Sequence, residues 1–387
     1  MSFVPDAFLA NSDVQFMSSD PLPTVVEVEN SGDSVSTSGT NRSDPAKSAS
    51  HNAGWQRELA QSLRSTEELL RRLNLNPGDQ HTQQMLQAAG IQLADQDTLR
   101  RFPVLVPENF LARMSPGDPH DPLLRQVLPL ADESLTIDGF MPDPVGDLDA
   151  RRTAGVLQKY AGRVLLIAAS ACAIHCRYCF RRDYPYADEP RRMQDWQPAL
   201  DEIAADASIT EVIFSGGDPL MLSDSRLQMI CSAIDQISHV ERIRFHTRLP
   251  VVLPSRVNEE LLCLIQSLRA QPIVVIHSNH GNELVGDCAD ALRKLVRSGI
   301  PVLNQAVLLA GVNDNVDALA SLCRRLINLG VMPYYLHQLD RVSGTAHFEA
   351  DRAQGRQLIQ DLAAQLPGYA IPRFVQEIPG EPNKTAL

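Results

Sequence analysis

Six short apolar runs punctuate the chain from Arg163 onward: RVLLIAAS, EVIFSGG, RIRFHTR, PIVVIHS, VLNQAVLLAG and VMPYYLHQL. Between them lie amphipathic stretches such as SRLQMICSAIDQI, NEELLCLIQSLR and VDALASLCRRLINLG, apolar at helical spacings. The last five runs start about thirty residues apart, the length of one βα unit. Runs apolar on both faces need cover on both sides. Six such units in series therefore predict an α/β fold with a parallel sheet wrapped in helices. A repeat this long predicts a curved sheet, a partial (β/α)6 barrel, over a doubly wound one. In such a fold reactive groups gather at the C-terminal ends of the strands.

The rest of the 387 residues divides by composition. Residues 1–50 hold eleven serines, seven acids and two bases. That stretch cannot bury enough apolar surface to offset its ordering entropy, and it reads as a disordered acidic tail or a partner-binding arm. Residues 51–150 turn helical from Trp55, in WQRELAQSLRSTEELLRRLNL and TQQMLQAAG. They close on an Asp- and Pro-rich stretch, Pro116 to Leu148, that reads as an extended connector. Residues 151–387 carry the β/α repeat. A formal charge of −12 disfavours nonspecific nucleic-acid binding. No run approaches the roughly 18 apolar residues of a membrane span. The start, MSFVPDAFLANSD, lacks the basic and long apolar regions of a secretory signal, so the expected setting is the cytoplasm.

Seven cysteines in such a chain suit reduced thiols or metal ligands better than a disulfide framework. Cys231, Cys263, Cys288 and Cys323 stand singly on predicted helices and read as small buried hydrophobes. Cys172, Cys176 and Cys179 fall within eight residues just past a strand, with C-x₃-C-x₂-C spacing. Structural zinc takes four ligands, usually as two separated pairs, and no second pair follows. His175 lies between two of the cysteines, where the chain disfavours it as a fourth ligand. An iron–sulfur cluster suits three thiolates better, and a cubane held by three leaves one iron open to a further ligand.

This spacing after the first strand of a β/α barrel resembles the radical S-adenosylmethionine enzymes, whose barrel type the fold then shares. FSGGDPL, from Phe214, is similar to their glycine-rich segment. The resemblance implies a [4Fe–4S] cluster on Cys172, Cys176 and Cys179, with Gly216, Gly217 and Asp218 helping to bind S-adenosylmethionine. From about Asp118 to Lys384 the chain further resembles the lysine 2,3-aminomutases, in stretches such as DPHDPLLRQVLP, HSNHGNEL, VLLAGVND and EIPGEPNK. These enzymes add pyridoxal 5′-phosphate and move an amino group from C2 to C3 of an amino acid. The resemblance implies that Lys384 carries the pyridoxal phosphate, with Arg163 nearby, and that Arg181 pairs with the substrate carboxylate. It also implies that Asp314 and Glu377 hold the substrate ε-ammonium, with Glu377 where the family pattern has Asp.

Two further departures from the family pattern matter. The glycine run before the pyridoxal lysine is altered to Gly380–Asn383, and the sequence ends three residues past Lys384 without the zinc-binding cysteines of the catabolic enzymes. The shorter C-terminus, with the expected cytoplasmic setting, is more like the branch that makes (R)-β-lysine for elongation factor P. The expected partners are L-lysine and an external electron donor, without nucleic acid or membrane; a homo-oligomer is left open. Three readings compete: a radical aminomutase for another amino acid, an RNA-modifying radical enzyme such as a methylthiotransferase, and a non-catalytic zinc protein.

Overall fold

The computed structural model describes residues 54–387; the tail read at 1–50 lies outside the described residues. Ten strands follow in chain order: β1 (Arg151–Thr153), β2 (Val156–Tyr160), β3 (Arg163–Ala169), β4 (Glu211–Gly216) and β5 (Arg242–Thr247) come first. After them come β6 (Gln271–His277), β7 (Val302–Val307), β8 (Met332–His337), β9 (Arg373–Gln376) and β10 (Thr385–Ala386). They form one sheet in which sequence neighbours are also spatial neighbours. The six apolar runs are β3 to β8, parallel throughout, and β9 extends them as a further parallel strand. Antiparallel hairpins finish both edges: β1 and β2 before β3, and β10 after β9. Helices fill the crossovers, and several begin with a capping side chain. Ser223 accepts from Arg226 N ahead of the helix Asp224–Asp235, and Asn315 from Ala318 N ahead of Val316–Asn328.

Side chains alternate across the strands with a period of two. Val212, Phe214, Ile243, Phe245, Val274 and Ile276 point outward and are fully buried in the main core. Phe214 and Phe245, partners in register, lie with ring centroids 5.2 Å apart. Burial of such side chains contributes roughly 1.5–3 kcal/mol each. The inner face differs from the expected apolar one. Arg244, His246, His277, Gln305, His337 and Arg373 all face a cavity on the concave side. Polar residues can line the inside because side chains from β2 to β10 surround that cavity, which aliphatic layers do not fill.

The helices 54–60, Thr66–Arg72, Gln80–Ala88, Gln96–Arg101 and Glu108–Leu111 share one core with the barrel, through Leu69, Leu70, Leu75 and Phe110. The stretch from Pro116 to Leu148 is folded and packed, contrary to its reading as an extended connector. Asp121 caps the short helix Pro122–Arg125 by accepting from Leu123 N and Leu124 N at 2.8 and 2.9 Å. Gln126, Glu133 and Asp147 are buried. The acids that resembled linker punctuation are caps and ion-pair partners, a difference only the fold reveals.

Candidate active site

The cysteine loop leaves the C-terminal end of β3, and backbone contacts hold it on three sides. Gly217 N donates to Ala169 O at 2.7 Å and Asp218 N to Ala171 O at 2.9 Å, so the end of β4 continues alongside the loop. A Cβ on Gly216 would lie 2.5 Å from Ala169 O, and one on Gly217 2.4 Å from Ala171 O. Gly216 also has φ +108°. Only glycine permits that approach. From the N-terminal region, Leu105 O accepts from His175 N at 3.0 Å and Gln126 O from Arg177 N at 2.9 Å. The wholly buried Arg177 forks onto Glu133 at 2.8 and 2.5 Å, and Arg182 joins the same carboxylate at 2.8 Å.

All three cysteines open onto the cavity, whose volume is about 750 Å³. Burial pushes the Cys172 thiol well up, and the neighbouring Cys179 adds to it; burial and Cys176 push Cys179 to about 11. Thiolates gathered here therefore call for a compensating cation. Among the described residues no three His, Cys, Asp or Glu side chains converge on a point that could hold a single ion. A cubane cluster takes its thiolates at separate corners rather than at one point.

The remaining residues expected at the site divide. Arg181 lines the cavity, donating to Asp147 Oδ2 at 2.6 Å and to Ser215 Oγ at 3.1 Å. Burial would raise the Asp147 carboxyl, but Arg181 and Lys159 hold it near about 2. Arg163 also lines the cavity, stacked 4.6 Å over the Tyr160 ring, with no ion pair among the described residues. Lys384 reaches inward because Thr385 and Ala386 pair with Gln376 and Val375 of β9. Its Nζ donates to Glu377, whose other oxygen accepts from Tyr160 Oη at 2.6 Å. Burial lifts the Glu377 carboxyl, yet Lys384, the Tyr160 hydrogen bond and Lys159 keep it below the usual range.

One expectation changes. Asp314 does not line the cavity; its carboxylate accepts from Gly311 N at 3.0 Å in a surface turn. Asp340, just past β8, occupies the cavity instead, where Lys384 and Glu377 act on its charge. Burial pushes its carboxyl up to about 7, and it makes no side-chain hydrogen bond among the described residues. Asp218 lines the cavity beside Gly216 and Gly217, and its carboxylate is held in place from within: it takes Thr247 Oγ1 at 2.7 Å, Arg248 N at 2.6 Å and Leu220 N at 3.0 Å. It braces the loop after β5. Sequence reasoning also passed over Lys159, Asp147 and the inward histidines His246, His277 and His337. The period-two alternation of the strands is the signal that could have found the histidines.

Residues 166–323 match the Radical SAM superfamily. Over 333 residues the chain is 41% identical to the L-lysine 2,3-aminomutase of Escherichia coli (strain K12), covering 86% of this chain and 94% of that one. The chain belongs to the L-lysine 2,3-aminomutase family. The enzyme of that name from Haemophilus influenzae is 43% identical over 284 residues, covering 73% and 84% of the two chains. That from Buchnera aphidicola subsp. Baizongia pistaciae is 37% identical over 334 residues, covering 86% and 95%. The chain is thus a radical S-adenosylmethionine isomerase, an aminomutase whose substrate is a free amino acid. Membership implies a [4Fe–4S] cluster, S-adenosylmethionine and pyridoxal phosphate. The residues fit these groups: three thiols on one wall, Lys384 reaching inward, and in Arg163 a cation suited to a phosphate. Among the described residues no helix is long and apolar enough to cross a membrane.

Proposed function

We propose that the chain converts L-α-lysine to (R)-β-lysine by 2,3-amino migration, depends on pyridoxal phosphate at Lys384, and supplies the product for modification of elongation factor P. The observation that carries the substrate assignment is Asp340, a carboxyl with no hydrogen-bond partner among the described residues, in the cavity that also holds Arg181 and Lys384. A carboxyl raised to about 7 by burial ionises readily once a cation lies beside it. A substrate with an ammonium at its far end supplies that cation; one with a carboxylate there would be repelled. Arg181 offers a planar guanidinium for the substrate carboxylate, with Asp147 fixing its orientation.

When bound, the cluster with S-adenosylmethionine supplies one-electron hydrogen abstraction, and pyridoxal phosphate supplies a π system conjugated to the migrating nitrogen. The chain does the rest. Glu377 holds the Lys384 ammonium in place, and Tyr160 fixes Glu377 from the other side. Burial keeps His246, His277 and His337 neutral, so the wall they form adds no competing positive charge. Enclosure by side chains from nine strands limits water around reactive intermediates. The link to elongation factor P rests on resemblance to that branch of the family alone.

Anaerobically reconstituted protein given labelled L-lysine, S-adenosylmethionine, pyridoxal phosphate and dithionite should form β-lysine. Equal turnover of glutamate, or no product that depends on S-adenosylmethionine, would defeat the assignment. For the product's use, elongation factor P from cells lacking the chain should weigh one lysyl unit less.

A further inference from the structure

Arg248, immediately after β5, carries no role in the chemistry above, yet its Nη1 donates to Cys176 Sγ. Its other terminal nitrogen, Nη2, donates to Gln126 Oε1 at 2.7 Å and to Glu283 Oε2 at 3.0 Å. The guanidinium lies 5.4 Å from the Phe110 ring centroid and 5.6 Å from that of Tyr178, and the residue is 6% exposed. Its backbone is pinned by Asp218, which accepts from Arg248 N and from Leu249 N at 3.2 Å. Gln126 and Glu283 are fixed in turn: Asn279 Nδ2 donates to Gln126 at 3.0 Å, and Asn279 N to Glu283 at 2.8 Å. The cation is therefore aimed at the sulfur by hydrogen-bonding groups from three separate segments.

We propose that Arg248 is a positioning residue for the iron–sulfur cluster: it fixes the middle cysteine and raises the cluster's reduction potential by donating a hydrogen bond to Cys176. The inference rests on the reading that Cys172, Cys176 and Cys179 hold a [4Fe–4S] cluster. Reduction adds negative charge to a cluster. Hydrogen bonds to its sulfurs and nearby positive charge favour that form. Burial away from water strengthens both effects. Glu283 offsets part of the charge, but it binds Nη2, leaving Nη1 directed at the sulfur. The fork serves three acceptors at once, which a lysine ammonium on a flexible stem does not reproduce.

The test is the midpoint potential of anaerobically reconstituted full-length protein, followed by electron paramagnetic resonance during redox titration. Arg248→Met alone would leave Glu283 buried and unpaired, so it is made in a Glu283→Gln background and compared with Glu283→Gln. Arg248→Lys in the wild-type chain, which keeps the charge and loses the fork, is the second variant. Arg256→Lys is the control: Arg256 is also buried but binds Leu220 O and Asp224. The potential should fall in R248M/E283Q relative to E283Q, fall less in R248K, and stay put in R256K. Iron release to a chelator should be about ten-fold faster in R248M/E283Q, the worth of one charge-assisted hydrogen bond. Unchanged potentials in both Arg248 variants would overturn the inference. So would folded variants that take up no iron, because Arg248 would then serve assembly alone. A wild-type protein without a cluster would remove the underlying reading together with the inference.

Discussion

Asp314 and Asp340 show how much a single position decides. Both follow apolar strands, and either could hold a cation on sequence grounds. One closes a surface turn, while the other enters the cavity. Asp340→Asn should weaken binding of the cationic substrate ten- to a hundred-fold, the range for a hydrogen bond to a charged group. Asp314→Ala should leave affinity unchanged and alter stability by about 0.5 kcal/mol or less. Isothermal titration with lysine on both variants checks the pair, and the reverse ranking would restore Asp314. The raised carboxyl adds a pH signature. Its ordinary value is near 4 and its folded value about 7, so its contribution to stability is full below pH 4 and lost as pH rises through 7. Urea midpoints of substrate-free protein between pH 5 and 8 should fall less in Asp340→Asn than in wild type. Lysine affinity should rise with pH across the same window, because the cation binds the ionised form.

At the level of elements, the end of β4 and the cysteine loop fit as one piece. Gly217 leaves no room for a methyl group: Ala171 O lies 2.4 Å from where its Cβ would sit, and backbone cannot swing aside as a flexible side chain can. Gly217→Ala should cost about 1–3 kcal/mol, the range for overpacking, and lower the iron bound per chain. Thermal melts and iron analysis read the two effects. A variant with normal iron content and a normal melting temperature would show that the loop tolerates displacement. The β9–β10 pairing does comparable work at the other end of the sheet. Without a partner strand, a lysine this near the end of the sequence is an ordinary solvated group; with it, Lys384 is held against Glu377.

For the molecule as a whole, the N-terminal helices and the barrel are structurally inseparable. They share one hydrophobic core, and Leu105, Gln126 and Glu133 from the first part hold His175 and Arg177 of the cysteine loop. A fragment of residues 151–387 would leave Arg177 buried without its carboxylate, a loss of roughly 3–5 kcal/mol, besides exposing the shared core. It should fail to fold or to bind iron, and Glu133→Gln in the full chain should fall between the two. A soluble fragment with a full cluster would show that the helical region is an accessory.

The sequence by itself determined the parallel β/α order, because the spacing of apolar runs and the demand for two-sided cover leave few alternatives. It also pointed to the cysteine triplet, Arg181, Glu377 and Lys384, all of which line the cavity, since local spacing and family likeness mark them, but not to the pairing of Glu377 with Lys384. What the strands carry inside was hidden in their alternation: His246, His277 and His337 acquire meaning only when three separate strands turn the same face to one cavity. The choice between Asp314 and Asp340, the bracing role of Asp218 and the contact from Arg248 to Cys176 were decided by tertiary structure alone. Each depends on which groups meet across tens of residues, and composition and local periodicity carry no record of that meeting.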